Sequence, residues 1–250
     1  DPDRYANRFA HCDVLVVGAG PAGLAAALAA AEAGAKVILC DENAELGGSL
    51  LSDTSATIEG RSGRDWSADV IMNLALKDNV TVLPRTTAFG YYQDNAVGLL
   101  ERITDHLSDP ASHLPRERLW QVRAKRVVIC AGALERPLVF PENDRPGIML
   151  ADAARTYLNR WGAIPGRRVV LFTATDSAYA AAMDLKAAGA EIAVVADLRP
   201  KASAAAEAAR ASGIRVELST VINATYGGLA VEKVQLARVS PSGSVAATET

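Results

Sequence analysis

The chain has 250 residues, half of them hydrophobic, which is enough for one large or two modest domains with a substantial core. Its formal net charge is −3 and no basic block occurs, so the sequence gives no support for binding to nucleic acid or to an anionic membrane. The longest apolar run, Leu24–Ala31, is too short to span a bilayer. Few cysteines and no signal peptide favour a reducing, cytoplasmic setting.

The first predicted unit is a dinucleotide-binding β-α-β unit. A short, β-branched strand over Val14–Val17 precedes Gly-Ala-Gly-Pro-Ala-Gly at 18–23, and an alanine-rich helix over Leu24–Ala33 follows. The first glycine permits a tight turn, the second lets a pyrophosphate approach the backbone, and the third lets the helix pack on the strand. A second strand, Lys36–Cys40, ends at Asp41, where a carboxylate accepts hydrogen bonds from an adenosine ribose and repels the 2′-phosphate of NADP.

The chain from 42 to 133 is predicted to complete this unit. Gly47-Gly48-Ser49 lies in a loop, where it either borders the phosphates of a dinucleotide or forms an ordinary turn. The remaining predictions are a loop over Ser52–Arg64, a helix over Asp65–Lys77, a strand over Val80–Leu83, an antiparallel meander over Ala88–Tyr92, Ala96–Arg102 and Leu119–Val122, and a buried strand over Val127–Cys130. Ala131 and Gly132 follow that strand and are small enough for a cofactor to lie against their backbone.

Metal and thiol chemistry are not predicted. His106 and His113 fall in a polar, proline-bearing loop and are interpreted as solvated residues, because no carboxylate or cysteine spacing supports a metal site. There is no CxxC motif, and Cys40 and Cys130 lie in predicted buried strands, where cysteine acts as a small hydrophobe.

A second β-α-β unit is predicted after a proline-rich and charged linker over Leu134–Gly147 and a helix over Ala151–Trp161. Its strands and helices, in chain order, are Val169–Phe172, Ser177–Ala188, Glu191–Ala196, Ala202–Ser212, Arg215–Leu218, Val221–Tyr226 and Val231–Val239. Thr173, Thr175 and Ala178 replace the three glycines, although Asp197 stands where Asp41 does. Branched side chains at the first two positions block a phosphate and resist the turn that glycine allows. We therefore predict one nucleotide site, in the first unit.

The predicted fold class is α/β, with two Rossmann-like three-layer units, the second carrying a degenerate nucleotide motif, and a small β-meander. The predicted domains are 1–149 and 150–250. Residues 1–11 are expected to be a polar lead-in, and the chain is expected to be a fragment of a longer polypeptide.

Three stretches carry a resemblance to a known family. Val14–Ala27, with Asp41 and the Gly-Gly pair, is typical of two-dinucleotide-domain flavoprotein reductases. Within that group, Thr86–Tyr92 (Thr-Thr-Ala-Phe-Gly-Tyr-Tyr) resembles the α subunit of heterotetrameric sarcosine oxidase. So do Cys130–Pro141 (Cys-Ala-Gly-Ala-Leu-Glu-Arg-Pro-Leu-Val-Phe-Pro) and Arg145–Leu150 (Arg-Pro-Gly-Ile-Met-Leu). The α subunits of dye-linked proline dehydrogenase, opine oxidase and hydrogen cyanide synthase are similar.

The resemblance implies oxidative demethylation of sarcosine to glycine, with formaldehyde (or methylene-tetrahydrofolate) and hydrogen peroxide as further products. It implies that FAD lies in the β subunit with the substrate, that FMN lies at the α/β interface, and that the region similar to this chain holds NAD without turnover. The implied partners are the other subunits of a heterotetramer. A ferredoxin-like region and a tetrahydrofolate-binding region are implied outside this sequence.

The resemblance also assigns cofactor-binding residues. FAD is the alternative ligand of the same site, and no catalytic or metal-binding residue is assigned in this chain. The cofactor-binding residues are Gly18, Gly20, Pro21, Ala22, Gly23, Asp41, Glu42, Gly47, Gly48, Ser49, Thr87, Ala88, Ala131 and Gly132. Two other functions stay open: a self-contained FAD-dependent NAD(P)H oxidoreductase, which requires a second working nucleotide site, and a non-catalytic scaffold that has lost its nucleotide.

Overall fold

The computed structural model describes residues 4–249, which form two compact units that divide between Ala133 and Leu134. The helices and strands of the first unit are β1 (Tyr5–Val17), α1 (Pro21–Glu32), β2 (Val37–Cys40), β3 (Thr57–Ile58), β4 (Arg61–Ser62), α2 (Gly63–Ala75), β5 (Val80–Leu83), β6 (Thr86–Tyr92), β7 (Ala96–Arg102) and β8 (Glu117–Ile129). Those of the second unit are α3 (Ala151–Trp161), β9 (Arg168–Thr173), α4 (Ser177–Ala187), β10 (Glu191–Asp197), α5 (Ala204–Ala211), β11 (Val216–Leu218), β12 (Thr220–Tyr226), β13 (Lys233–Val239) and β14 (Val245–Glu249).

The first unit has three layers around one six-stranded sheet of order β5-β2-β1-β8-β7-β6. The strands β5, β2, β1 and β8 are parallel, whereas β7 and β6 continue the sheet in antiparallel pairing. Val16 and Leu39 face a core shared with α1 and α2, and Leu15 and Ile38 face a second core that contains Leu99 of the meander. Strand β2 and residues 14–17 of β1 are therefore covered on both faces, which explains why their sequences are continuously apolar.

Two sequence predictions about this sheet were wrong. Residues 5–11, expected to belong to a polar lead-in, are part of β1 and pair in parallel with the first half of β8. The strands predicted at Leu119–Val122 and Val127–Cys130 are one continuous strand, β8, and Cys130 lies one residue after it. In the middle of β8, exposed Gln121, Arg123 and Lys125 alternate with buried residues, as in a sheet with one solvated face, whereas most residues of the first half of β1 are exposed. Residues 1–3 of the expected lead-in lie outside the described residues.

The helices of the first unit follow their predicted positions closely. The helix α1 is built from alanine and leucine, which have high helix propensity, and it buries Gly23, Leu24, Ala27 and Ala31 along one side. The helix α2 starts at Gly63, two residues earlier than predicted, because the Ser62 hydroxyl caps it by accepting from the Asp65 amide at 3.1 Å. The predicted loop over 52–64 also contains the small antiparallel pair β3–β4.

The second unit repeats this layering. Its parallel sheet, of order β11-β10-β9, packs on one face against α4 and α5 through Leu171 and Val195. Its other face packs through Val194 and Ala196 against the antiparallel sheet β12-β13-β14. Strand β14 was not predicted. The α/β fold class, the internal repeat and the meander are confirmed.

The boundary between the compact units lies 16 residues before the predicted one (149 − 133). Residues 134–150 contain no helix or strand, as expected of a linker, but they are fastened to the second unit. Arg145 donates to the carbonyl of Gly227 at 2.5 Å, the Val231 amide donates to the carbonyl of Pro146 at 2.9 Å, and Phe140 packs edge-on against Phe172.

Candidate dinucleotide-binding site

The glycine-rich loop lies where three parallel strands end. Gly18 follows β1 with φ +98°, a conformation that side chains rarely adopt, and its amide donates to the Cys40 carbonyl at 2.8 Å. A Cβ at this position would lie 2.3 Å from the carbonyl oxygen of Cys130, beyond the end of β8. The predicted tight turn is confirmed, and the neighbouring strand adds a second reason for glycine.

Gly23 permits close contact between α1 and this turn. A Cβ on Gly23 would lie 1.8 Å from the carbonyl oxygen of Gly18, so only glycine allows the two segments to approach this closely. The helix begins at Pro21, whose missing N–H costs nothing in a first turn, and Gly20 is its N-cap. The first turn, which includes Ala22, thus directs amide groups and the positive end of the helix dipole toward the loop.

Gly20 faces open space. A Cβ there would meet only the Cα of Gly48, at 3.9 Å, whereas a Cβ on Gly48 would lie 2.7 Å from the Cα of Gly20. The two glycines thus bring two backbone segments together, and the Gly47 amide fastens them by donating to the Ala19 carbonyl at 2.9 Å. The space in front of Gly20, at a helix N-terminus, suits a pyrophosphate. Residues 48–51 form a turn of 3₁₀-helix, with the Ser49 side chain exposed.

Asp41 lies beside this loop, as predicted, and its carboxylate is already ordered by protein contacts. Its Oδ2 accepts from the Ala19 amide at 2.7 Å, and its Oδ1 accepts from the Asn43 amide at 2.8 Å and the Asn43 side chain at 3.0 Å. Each carboxylate oxygen has two lone-pair directions, so Oδ1 is fully used and Oδ2 keeps one direction for a ribose hydroxyl. Ala19 and Asn43 were missed by sequence reasoning, because nothing in their residue types marks these roles.

The other predicted residues surround this centre at different distances. Ala131 is adjacent to Gly18, since a Cβ on Gly18 would lie 3.1 Å from its amide nitrogen, and Gly132 has φ +70° with open space in front of it. The link to Thr87 and Ala88, the second and third residues of β6, is indirect: the preceding amide, of Thr86, donates to the carbonyl of Asp41 at 2.7 Å. The side chain of Glu42 is exposed. The cofactor-binding role of all fourteen residues stays a prediction.

In the equivalent loop of the second unit, Thr173 and Thr175 form hydrogen bonds with each other. Thr173 ends β9, and its hydroxyl donates to the Thr175 carbonyl at 2.8 Å and accepts from the Thr175 amide at 3.0 Å. Thr173 lacks the positive φ of Gly18, so the chain leaves the strand by a different turn rather than by a strained one.

The acidic residue of the second unit, Asp197, is also hydrogen-bonded to side chains of the same unit. Asp197 is fully buried and accepts three hydrogen bonds from the Arg199 guanidinium, at 2.7 Å, 3.0 Å and 3.2 Å, and one from the Tyr179 hydroxyl at 2.7 Å. Burial alone would raise the pKa of Asp197, but the hydrogen bonds from Arg199 and Tyr179 outweigh it and hold the pKa below its usual value. Arg199 also pairs with Asp176 at 2.8 Å, just before α4. Arg199 therefore already occupies acceptor positions on both carboxylate oxygens of Asp197.

The cysteines are free thiols. Burial raises the pKa of Cys12 to about 11 and that of Cys40 to about 12, with a smaller contribution from the adjacent aspartate in each case. His106 contacts Asp105 at 3.3 Å in the loop between β7 and β8. Among residues 4–249, no three His, Cys, Asp or Glu side chains are grouped to hold a metal ion. No helix within the same range is long and apolar enough to cross a membrane.

The chain is similar to known oxidoreductases. The family model of FAD dependent oxidoreductases matches residues 13–114. The sarcosine oxidase α subunit of Rhizobium meliloti (strain 1021) is 49% identical over 94% of this chain. This chain is a homologue of part of the sarcosine oxidase α subunit. It spans 23% of the length of that relative.

Two further proteins are similar to this sarcosine oxidase α homologue. The A subunit of opine oxidase from Agrobacterium tumefaciens (strain Ach5) is 32% identical over 71% of this chain, and the match covers 35% of that relative. The crystal structure of L-proline dehydrogenase from P. horikoshii aligns with a TM-score of 0.65 and 21% identity, over 97% of this chain and 41% of that one. At this identity the alignment supports the fold alone, a dinucleotide-binding flavoprotein fold.

Proposed function

We propose that this chain is the NAD-holding region of the α subunit of a sarcosine oxidase-like complex. In this proposal the complex demethylates sarcosine oxidatively to glycine, formaldehyde and hydrogen peroxide, and the chemistry takes place at flavins on other parts of the complex. The 49% identity to the α subunit of a sarcosine oxidase supports the assignment to this kind of complex. The substrate, the partner subunits and any folate site belong to the proposal, since the chain spans 23% of that relative.

One observation carries the nucleotide assignment. Gly20 faces open space at the N-terminus of α1, and the Asp41 carboxylate is ordered at 2.7 Å from the Ala19 amide between the two glycines. A pyrophosphate in front of Gly20 would meet the amides of the first helical turn, and the adenosine ribose would meet Asp41. The residues present therefore fit a dinucleotide.

FAD is the second candidate ligand of the same site. The match of residues 13–114 to FAD dependent oxidoreductases favours FAD. The glycine loop and the acid do not distinguish the two cofactors, because they serve the adenosine half of either one. NAD supplies a nicotinamide and FAD an isoalloxazine for electron transfer, so the identity of the ligand decides which chemistry could occur near this chain.

We infer that the chain holds one dinucleotide and does no redox chemistry alone. Hydride transfer between a flavin and a nicotinamide requires both rings in near contact, which one site cannot provide. The closed Thr173 turn and the Asp197–Arg199 pair support the loss of the second site. This counts against a self-contained NAD(P)H oxidoreductase. The 32% identity to the A subunit of an opine oxidase keeps an opine-oxidising complex as the alternative to a sarcosine-oxidising one.

The test is to purify the chain, denature it, and identify released small molecules by absorbance and mass. NAD, without visible flavin absorbance, is the expected result, and the chain should not oxidise NADH with added flavin or an artificial acceptor. If FAD is released instead, the ligand of the site is FAD and not NAD. Steady NADH oxidation by the isolated chain would contradict the proposed division of labour.

A further inference from the structure

The backbone carbonyls of residues 41–43 accept hydrogen bonds from the open end of the β6–β7 hairpin. The Thr86 amide donates to the Asp41 carbonyl at 2.7 Å, and the Arg85 amide donates to the Asn43 carbonyl at 2.9 Å. The carbonyl between them, that of Glu42, accepts from Nη2 of Arg102 at 2.8 Å. Three consecutive carbonyls are thus bound, two by backbone amides and the middle one by a side chain.

The Glu42–Asn43 peptide unit connects Arg102 to the Asp41 carboxylate. Its carbonyl faces Arg102, and its N–H, the amide of Asn43, donates to Oδ1 of Asp41 at 2.8 Å. Because the peptide group is planar, fixing the direction of its carbonyl also fixes the direction of its N–H. Hydrogen bonds in such a chain polarise one another, and a charged donor at one end strengthens the series.

Arg102 is an unusual choice if it serves stability alone. It ends β7, where its amide donates to the Arg85 carbonyl at 3.0 Å, and its Nε is buried with no hydrogen-bond partner among the described residues. Buried donors are normally satisfied, so an unsatisfied one needs an explanation. The explanation that the geometry offers is the contact made by the other end of the guanidinium.

We propose that Arg102 is a positioning residue for the ribose-binding carboxylate. Through the Glu42–Asn43 peptide it holds Asp41 in the orientation that accepts hydrogen bonds from the adenosine ribose. The meander thereby determines how well the site recognises a ribose that carries both hydroxyls. This inference rests on the proposed dinucleotide site and assigns a role to a residue outside the glycine motif.

The test measures ribose recognition rather than overall binding. Calorimetric titration of the full chain with ADP and with 2′,3′-dideoxy-ADP gives the ratio of the two affinities. For the wild type we expect ADP to bind at least about tenfold more tightly, as for a lost hydrogen bond to a charged group. In Arg102→Met the ratio should fall to about threefold or less, with little change for dideoxy-ADP.

A matched control is Arg123→Met, which removes the same charge from the meander at an exposed position paired only loosely with Asp94, at 3.5 Å. It should keep the wild-type ratio. If Arg102→Met does not fold, Arg102→Gln, whose amide is too short to reach the Glu42 carbonyl, undergoes the same comparison.

The outcomes separate this inference from the proposed function. If the folded Arg102 variant keeps the wild-type ratio of ADP to dideoxy-ADP affinity while Asp41→Asn loses the preference for ADP, the role of Arg102 is overturned and the site stays in place. A wild-type ratio in Asp41→Asn as well overturns the placement of the ribose and the site with it. An equal loss of ADP and dideoxy-ADP affinity in Arg102→Met shows a general structural effect and also overturns the inference.

Discussion

Substituting alanine at Gly20 and at Gly23 should separate nucleotide binding from folding. The added Cβ at Gly23 would lie 1.8 Å from the Gly18 carbonyl oxygen and 3.3 Å from the Cβ of Cys130, so α1 must move away from β1. Gly23 is buried, and overpacking at a buried position costs roughly 1–3 kcal/mol. The melting temperature should fall by several degrees, at about 2–4 °C per kcal/mol for a chain of this length.

The same change at Gly20 should leave the fold intact. Its backbone has φ −73° and ψ −174°, which alanine adopts without strain, and the nearest atom to the new Cβ is 3.9 Å away. The methyl group instead enters the space proposed for the pyrophosphate. The expected result is a melting temperature within about 2 °C of wild type, as for a change of at most about 0.5 kcal/mol, and a dinucleotide affinity reduced by about a hundredfold or more.

Differential scanning calorimetry and calorimetric titration with NAD and FAD measure the two effects on the same samples. Each variant serves as the control of the other, since both add one methyl group to the same loop. Wild-type affinity in Gly20→Ala, or a wild-type melting temperature in Gly23→Ala, would refute the roles derived from the contacts.

Three further predictions concern charge and thiols. Arg199→Met should lower the free energy of unfolding at pH 7 by roughly 3–5 kcal/mol in urea titrations, because it leaves Asp197 buried without its cation. The depressed pKa of Asp197 stabilises the fold above its unfolded pKa, about 3.9, so the difference from wild type should narrow as the pH falls below about 4; a constant difference would contradict this. Cys12 and Cys40 should resist a thiol reagent at pH 8 in the native chain and react in denaturant, so two rapidly labelled native thiols would contradict their burial. NADP should bind at least about fivefold more weakly than NAD, since a 2′-phosphate near Asp41 costs on the order of 1 kcal/mol even in water, and equal affinities would argue against the ribose placement.

Local sequence patterns were sufficient to predict those features whose structure is determined within one short stretch of the chain. Val80–Leu83 and Ala96–Arg102 were predicted to the residue, because apolar runs bounded by turn residues leave few alternatives. The glycine loop was recognisable because each glycine solves a local steric problem, at Gly18 and Gly23 in particular.

The rest depends on contacts between distant segments. The first half of β1 carries polar residues such as Asn7 and His11 and becomes a strand only by pairing with β8, more than a hundred residues later in the chain. Arg85 and Arg102 of the β6–β7 hairpin donate hydrogen bonds to carbonyls of residues 42–43, just after the end of β2. No local sequence pattern connects these two segments. The loss of the second nucleotide site likewise involves a contact that no pattern predicted, the hydrogen bond from Arg199 to Asp197.

Native mass spectrometry of the full chain with excess NAD tests the central claim, one dinucleotide site in the first unit, most directly. We expect a single bound dinucleotide per chain in the wild type and in Arg199→Met, and none in Gly20→Ala. Two dinucleotides per chain, or one that persists in Gly20→Ala, would contradict it.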